Sequence, residues 1–139
     1  MYQIDSIVKP VANAINKTGL LKVFVGRKPN FSKNPDDYME KCRAQIYCKP
    51  LNAFSLTYIE LLIEKILRDY VANPVHWEAD LSIHKRYIAD SDKGSPIEFS
   101  FDFIIKAFNP NQSEKDQIKD IKKGLDCLKK SIIKNSKSF

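Results

Sequence analysis

Val75-His76-Trp77-Glu78-Ala79-Asp80-Leu81-Ser82-Ile83-His84 is the stretch on which the fold turns, because every second residue is apolar and those between are polar or charged. That period of two marks a β-strand with one buried face. After Pro96 a second alternation sets Ile97, Phe99, Phe101, Phe103, Ile105 and Ala107 against Glu98, Ser100, Asp102, Ile104 and Lys106, so a second strand offers three phenylalanines to the same interior. Asp90-Ser91-Asp92-Lys93-Gly94-Ser95 lies between the two, and a three-residue loop of Asp92, Lys93 and Gly94 would place glycine at the left-handed position such hairpins need. With Ser91 opposite Ser95, Ile83 meets Phe103 and Leu81 meets Ile105, while the outer face pairs His84 with Asp102 and Asp80 with Lys106. The apolar side of a hairpin does not persist alone in water, so the rest of the chain has to cover it.

Upstream, Val8, Val11, Ala12 and Ile15 fall at helical spacing with Pro10 in a first turn and Gly19 as a C-terminal cap, which predicts a helix near residues 6 to 18. Leu21, Val23 and Val25 then read as a strand ended by Gly26, and Arg27 to Lys33 as a loop of cationic side chains around the aromatic Phe31. Asn34-Pro35-Asp36-Asp37 has the composition of a helix start, short because Cys42, Ala44, Ile46 and Cys48 alternate as a strand that Pro50 closes. Ser55 caps a predicted helix to about Ala72, with Ile59, Leu62, Ile63, Ile66, Leu67 and Tyr70 as its buried stripe and Glu64 paired with Arg68. Leu56 and Leu61 widen that stripe beyond the needs of one sheet face, so a second helix or another subunit should cover them. A capping box at Ser113 and Asp116 opens a last helix whose seam is Ile118, Ile121, Leu125, Leu128 and Ile132. Lys119, Lys122, Lys123, Lys129, Lys130 and Lys134 populate its flanks. No rhythm of repeated crossovers appears, so the expected class is α+β: a mainly antiparallel four-stranded sheet with an N-terminal helix, a long apolar central helix and a basic C-terminal helix.

The 139 residues, 43% of them apolar, suit a single domain spanning 1–139. No apolar run approaches a membrane span and the first residues lack the regions of a secretory signal, so an intracellular location without membrane contact is expected. Cys42, Cys48 and Cys127 show no paired Cys-x-x-Cys spacing; Cys42 and Cys48, roughly 20 Å apart on an extended strand, are too far apart to bridge. All three read as reduced thiols, with neither a disulfide framework nor a zinc site indicated. The net charge of +6 is unevenly spread. Residues 1–49 hold nine Lys and Arg against four acids, residues 50–112 six against nine, and residues 113–139 eight against four. Two basic ends flanking an acidic middle suggest contact with a polyanion or an acidic partner surface.

Residue types for chemistry are present, but their patterns are poor. His84, Asp102 and Ser100 could in type form a nucleophilic triad, yet a triad serine sits at a strained turn beside oxyanion donors and Ser100 lies mid-strand. His76, Glu78 and Asp80 share a strand face without the convergence a metal needs. Asp90, Asp92 and Gly94 depart from a calcium loop, whose sixth position is glycine and whose twelfth is glutamate. The nuclease-like spacing Asp120-Ile121-Lys122 falls in a helix, and the four glycines form no phosphate cradle. Neither a cofactor nor a catalytic group is implied. Arg27, Lys28, Phe31 and Lys33, joined by Lys119, Lys122, Lys123, Lys129 and Lys130, could instead contact nucleic-acid phosphates, stack a base, or meet a partner protein.

An opening helix, a strand running into Gly26-Arg27-Lys28-Pro29, and a late Phe-rich strand passing through Asn109-Pro110 into a helix together resemble the small tail-terminator or tail-completion proteins of the neck of tailed phages. The resemblance is carried by element order across most of the chain. It implies an α+β fold, assembly into a ring, other structural subunits as partners, and a place in the host cytoplasm or the virion. On this view the chain is a structural assembly protein with Leu56 and Leu61 at its interface. A basic nucleic-acid-binding module without sequence specificity is the alternative, and an unrecognised hydrolase the third.

Overall fold

A computed structural model describes residues 3–29, 43–51, 56–69, 75–85, 97–107 and 112–137, with 75–85 and 97–99 described by backbone. In chain order the elements are α1 (Lys9–Lys17), β1 (Leu21–Arg27), β2 (Arg43–Pro50), α2 (Leu56–Arg68), β3 (Val75–Lys85), β4 (Ile97–Ala107) and α3 (Glu114–Ser136). The chain is α+β. Its strands run in the order β1-β2-β4-β3 with antiparallel neighbours throughout. The expected short helix after Asn34 and the hairpin turn at Asp92–Gly94 lie outside the described residues.

One face of this sheet carries the helices: α1 lies over β1, α3 over β4 and β3, and α2 against α3 and β3. The core is the layer between. Ala44, Ile46 and Cys48 of β2 alternate inward beside Phe101, Phe103 and Ile105 of β4, and the α3 seam of Ile121, Leu125, Leu128 and Ile132 closes over them. Local chemistry delimits the helices. Ser113 Oγ accepts the Asp116 N–H at 3.2 Å at the start of α3, and Gly19, at φ 74°, follows α1 where a left-handed residue is needed. Asn16 Oδ1 of α1 accepts from Val23 N at 2.8 Å, which ties the helix to the strand on which it rests.

The β3–β4 hairpin departs from the expected register by four residues. Leu81 pairs with Phe101 rather than Ile105, and Ile83 with Phe99 rather than Phe103. On the other face Asp80 stands opposite Asp102 rather than Lys106, and His84 opposite Glu98 rather than Asp102. An even offset keeps every residue on its face, so the period-two pattern is satisfied equally by both registers. On its other edge β4 pairs with β2, which sets Ala44, Ile46 and Cys48 opposite Ile105, Phe103 and Phe101.

Gly26 was expected to end β1, but the strand continues through Arg27. The glycine serves close packing instead: a Cβ there would lie 2.6 Å from Val8 Cγ2 and 3.1 Å from Ile4 Cγ2. Residues 3–5 lie along this edge, Gly26 N donating to Gln3 O and Asp5 N to Gly26 O, both at 3.0 Å. In α2 the stripe is narrower than its sequence suggested. Ile59, Leu62 and Ile66 are buried, Ile63 and Leu56 are half-buried against the core, and Leu67 is exposed. The Glu64–Arg68 pair forms on the solvent side.

A polar cluster joins the end of α2 to α3. The Asp69 carboxylate accepts from Ser131 Oγ and Asn135 Nδ2, each at 2.8 Å, with Lys134 Nζ 3.6 Å away. Those two hydrogen bonds, and then the lysine, hold the Asp69 carboxyl below the usual carboxylate range.

Two expectations test this packing. Gly26→Ala forces a methyl into the Val8 side chain and should cost about 1–3 kcal/mol of stability, with Val8→Ala in the same chain returning part of the loss; an unmoved denaturant midpoint in Gly26→Ala contradicts the close approach. Because the folded pKa of Asp69 is depressed, the unfolded chain takes up its proton first on acidification. The stabilisation is therefore present above the unfolded value, about 3.9, and is lost as pH falls through the folded one. Asp69→Asn should flatten the dependence of unfolding free energy on pH below about pH 4, and a pH profile identical to that of the parent chain would remove Asp69 from the account.

Candidate functional site

The sheet face opposite the helices gathers aromatic and basic side chains at the β1–β2 pair. A register shift between Val23 and Val25 leaves Phe24 as the irregular residue of β1. Its ring lies edge-on to Tyr47 of β2, with centroids 6.5 Å apart at 61°. Lys22 and Lys49 stand directly opposite each other across the ladder, a like-charge arrangement that costs stability on its own. Both ammonium groups instead sit over the Phe24 ring, at 5.9 and 5.2 Å from its centroid, where the negative face of the ring offsets part of the repulsion. The result places two lysines beside two aromatic rings.

Next to this patch a cavity of about 300 Å³ is lined by Val25, Arg27, Gln45, Tyr47 and Asp102. Gln45 Nε2 donates to Asp102 Oδ1 at 3.0 Å. Asp102 therefore belongs to this cavity and is not the orienting partner of His84. The triad expectation fails on register, since Ser100 pairs with Ser82 and His84 with Glu98. Ser100 is fully buried and its hydroxyl has no hydrogen-bond partner among the described residues. Ile104 is buried on the same face, so this face is not the uniformly solvated polar surface that alternation predicts. His76, Glu78 and Asp80 stand opposite Lys106, Ile104 and Asp102, and no group of three metal-ligating side chains occurs among the described residues.

Of the remaining basic candidates, Lys122 and Lys129 border one cavity beside α1 and the others lie apart from it. Arg27 lines the cavity beside Tyr47, and Lys28 is exposed with its backbone N–H bonded to Asp5 Oδ2 at 2.8 Å; Phe31 and Lys33 lie outside the described residues. On α3, Lys119, Lys122 and Lys123 are exposed and Lys129 is half-buried beside α1. Lys130 is engaged by Asp126 at 2.9 Å, which raises its ammonium above the usual range. Of the two interface candidates, Leu56 packs against the core and Leu61 is exposed to solvent.

Cys48 and Cys127 are free thiols, the first buried and the second exposed. Cys48 Sγ donates to Phe101 O at 3.4 Å. Burial, and after it the charge of Asp102, pushes its thiol far above the ordinary range, so it is an inert core residue rather than a nucleophile. The Phe24 patch was not anticipated. Its signal, Lys22-Val23-Phe24 facing Tyr47-Cys48-Lys49, becomes legible only when β1 and β2 are known to pair with Lys22 opposite Lys49.

Compared with known protein families, curated proteins and solved structures, the chain has no match. No helix among the described residues is long and apolar enough to cross a membrane.

Proposed function

We propose that this chain is a structural assembly protein, built to associate with copies of itself or with other structural subunits, as the ring-forming neck and tail-terminator components of tailed phages do. The observation that carries this reading is α2. While Ile59, Leu62 and Ile66 hold it to the core, its exposed residues include Tyr58 at 52%, Leu61 at 43% and Leu67 at 41% of their full accessibility. Apolar side chains scattered singly over a surface need no explanation. Here three occur on one thirteen-residue helix, with Tyr58 and Leu61 one turn apart on the same flank. A heterologous contact through such a flank closes into a ring where the rotation between neighbours permits.

The Phe24 patch favours a second reading, a basic nucleic-acid-binding module without sequence specificity. Lys22 and Lys49 are of the type that contacts a phosphate backbone, and a base could stack on the rings beside them.

Native mass spectrometry and light scattering across a concentration series separate the two. Assembly predicts an oligomer that Leu61→Glu disrupts by about tenfold or more in affinity, since burying a leucine contributes about 1.5–3 kcal/mol, with the circular dichroism unchanged. A strictly monomeric chain at every concentration overturns it, unless an added structural partner restores the complex. The second reading predicts that log affinity for single-stranded DNA falls linearly with log salt, and that Lys49→Ala reduces the slope by about 0.7. Salt-independent binding, or none, excludes it.

A further inference from the structure

The packing of α1 on α3 leaves two adjoining cavities, of about 290 and 460 Å³, which share Pro10 and Lys129 and lie in succession along a groove between the two helices. Ile7, Val11 and Leu125 line the first cavity, and Ala14 and Ile133, with the polar Asn13 and Ser136, line the second. Its walls are cationic: Lys122 and Lys129 border the first, and Lys17, Lys129 and Lys137 the second. None of these four lysines takes part in an ion pair among the described residues. The carboxylate that lines the groove, that of Asp126, is engaged by Lys130. Ile133, at the second cavity, is 41% exposed. From Lys122 to Lys137 the groove follows α3 for roughly 22 Å, the length of about four helical turns.

Aliphatic side chains bordered by Lys122, Lys129 and Lys137 on the α3 side and by Lys17 on the α1 side are complementary to a particular shape of ligand. We propose that the α1–α3 groove docks an acidic, amphipathic helical segment of a partner protein, its aliphatic side chains on those of the groove and its carboxylates against the lysines. Nucleic acid fits less well, since no aromatic ring for stacking and no arginine for bidentate phosphate contact lines the groove among the described residues. A bilayer fits less well too, because Val11, Ala14 and Leu125 are buried and Ile133 alone of the large apolar residues there is exposed, too little for an inserting apolar face. A second copy docking through α2 lacks the needed charge, as Glu60 and Glu64 are balanced there by Lys65 and Arg68. The groove is separate from the α2 flank, so this docking stands or falls apart from self-assembly.

The test uses the full chain and a fluorescein-labelled synthetic helix of about fifteen residues, with leucines on one face and glutamates on its borders. Its counterpart carries lysine in place of each glutamate; oligothymidylate and phosphatidylserine vesicles serve as the other probes. The glutamate peptide should bind saturably and more weakly as salt rises. Lys122→Glu with Lys129→Glu should weaken it by about tenfold or more, whereas Lys28→Glu with Lys123→Glu, an equal charge change at exposed residues that do not line the groove, should leave it nearly unchanged. Amide shifts in the unaltered chain should concentrate at Val11, Ala14, Leu125 and Ile133, which keeps the test decisive if a charge-reversed variant fails to fold. Equal binding of the lysine peptide, equal weakening by the two variant pairs, shifts elsewhere, no saturable binding, or tighter groove-dependent binding of the oligonucleotide or vesicles each overturns the proposal.

Discussion

Burial of the apolar seam of α3 is the interaction on which the other contacts of this protein depend. Ile121, Leu125, Leu128 and Ile132 are each at most 3% exposed, and their helix touches α1, α2, β3 and β4. Each such side chain contributes about 1.5–3 kcal/mol when taken out of water. Beneath the helix lies β4, one of the two interior strands and paired on both sides, so Phe101 and Phe103 lie at the middle of the apolar layer. Without α3 the sheet would expose Phe101, Phe103 and Ile105, and neither α1 nor α2 would have the helix against which it packs. The Asp69 cluster adds direction rather than bulk. Buried Ser131 and Asn135 find in one carboxylate the partner each requires, which favours a single placement of the end of α2 along α3.

The same arrangement explains where charge collects. The two basic ends of the chain, far apart in sequence, come together because α1 and α3 pack side by side. Lys17 and Lys137 consequently border one cavity. Bringing cations together costs little while water screens them, and the aliphatic contact between the helices outweighs it. Lys22 and Lys49 show a second solution to the same problem, in which an aromatic face lies beneath an opposed pair of ammonium groups. Both places hold positive charge beside apolar surface, the one in a helical groove and the other on a flat sheet.

Gly26 illustrates how little a residue type says without its neighbours. A glycine after an alternating run reads as a strand end, yet here it sits within the strand with Val8 and Ile4 where its side chain would be. The lack of a Cβ is what lets residues 3–8 lie across β1, and turn flexibility has no part in it.

The sequence by itself determined which residues of β3 and β4 share a face, because side chains alternate along any strand whatever its partner. It also determined the Ser113 cap of α3 and the Gly19 end of α1, since both act within a few residues of backbone. Register was beyond it. Pairings offset by four residues present the same faces, so alternation along the two strands is satisfied by either and the observed one is seen only in the folded sheet. Only the tertiary structure could decide that His84 and Asp102 do not meet, that Leu56 packs inward while Leu61 and Leu67 face water, and that Lys17, Lys122, Lys129 and Lys137 share one groove. Each of these depends on which distant segment removes a surface from water, and local periodicity carries no record of that choice.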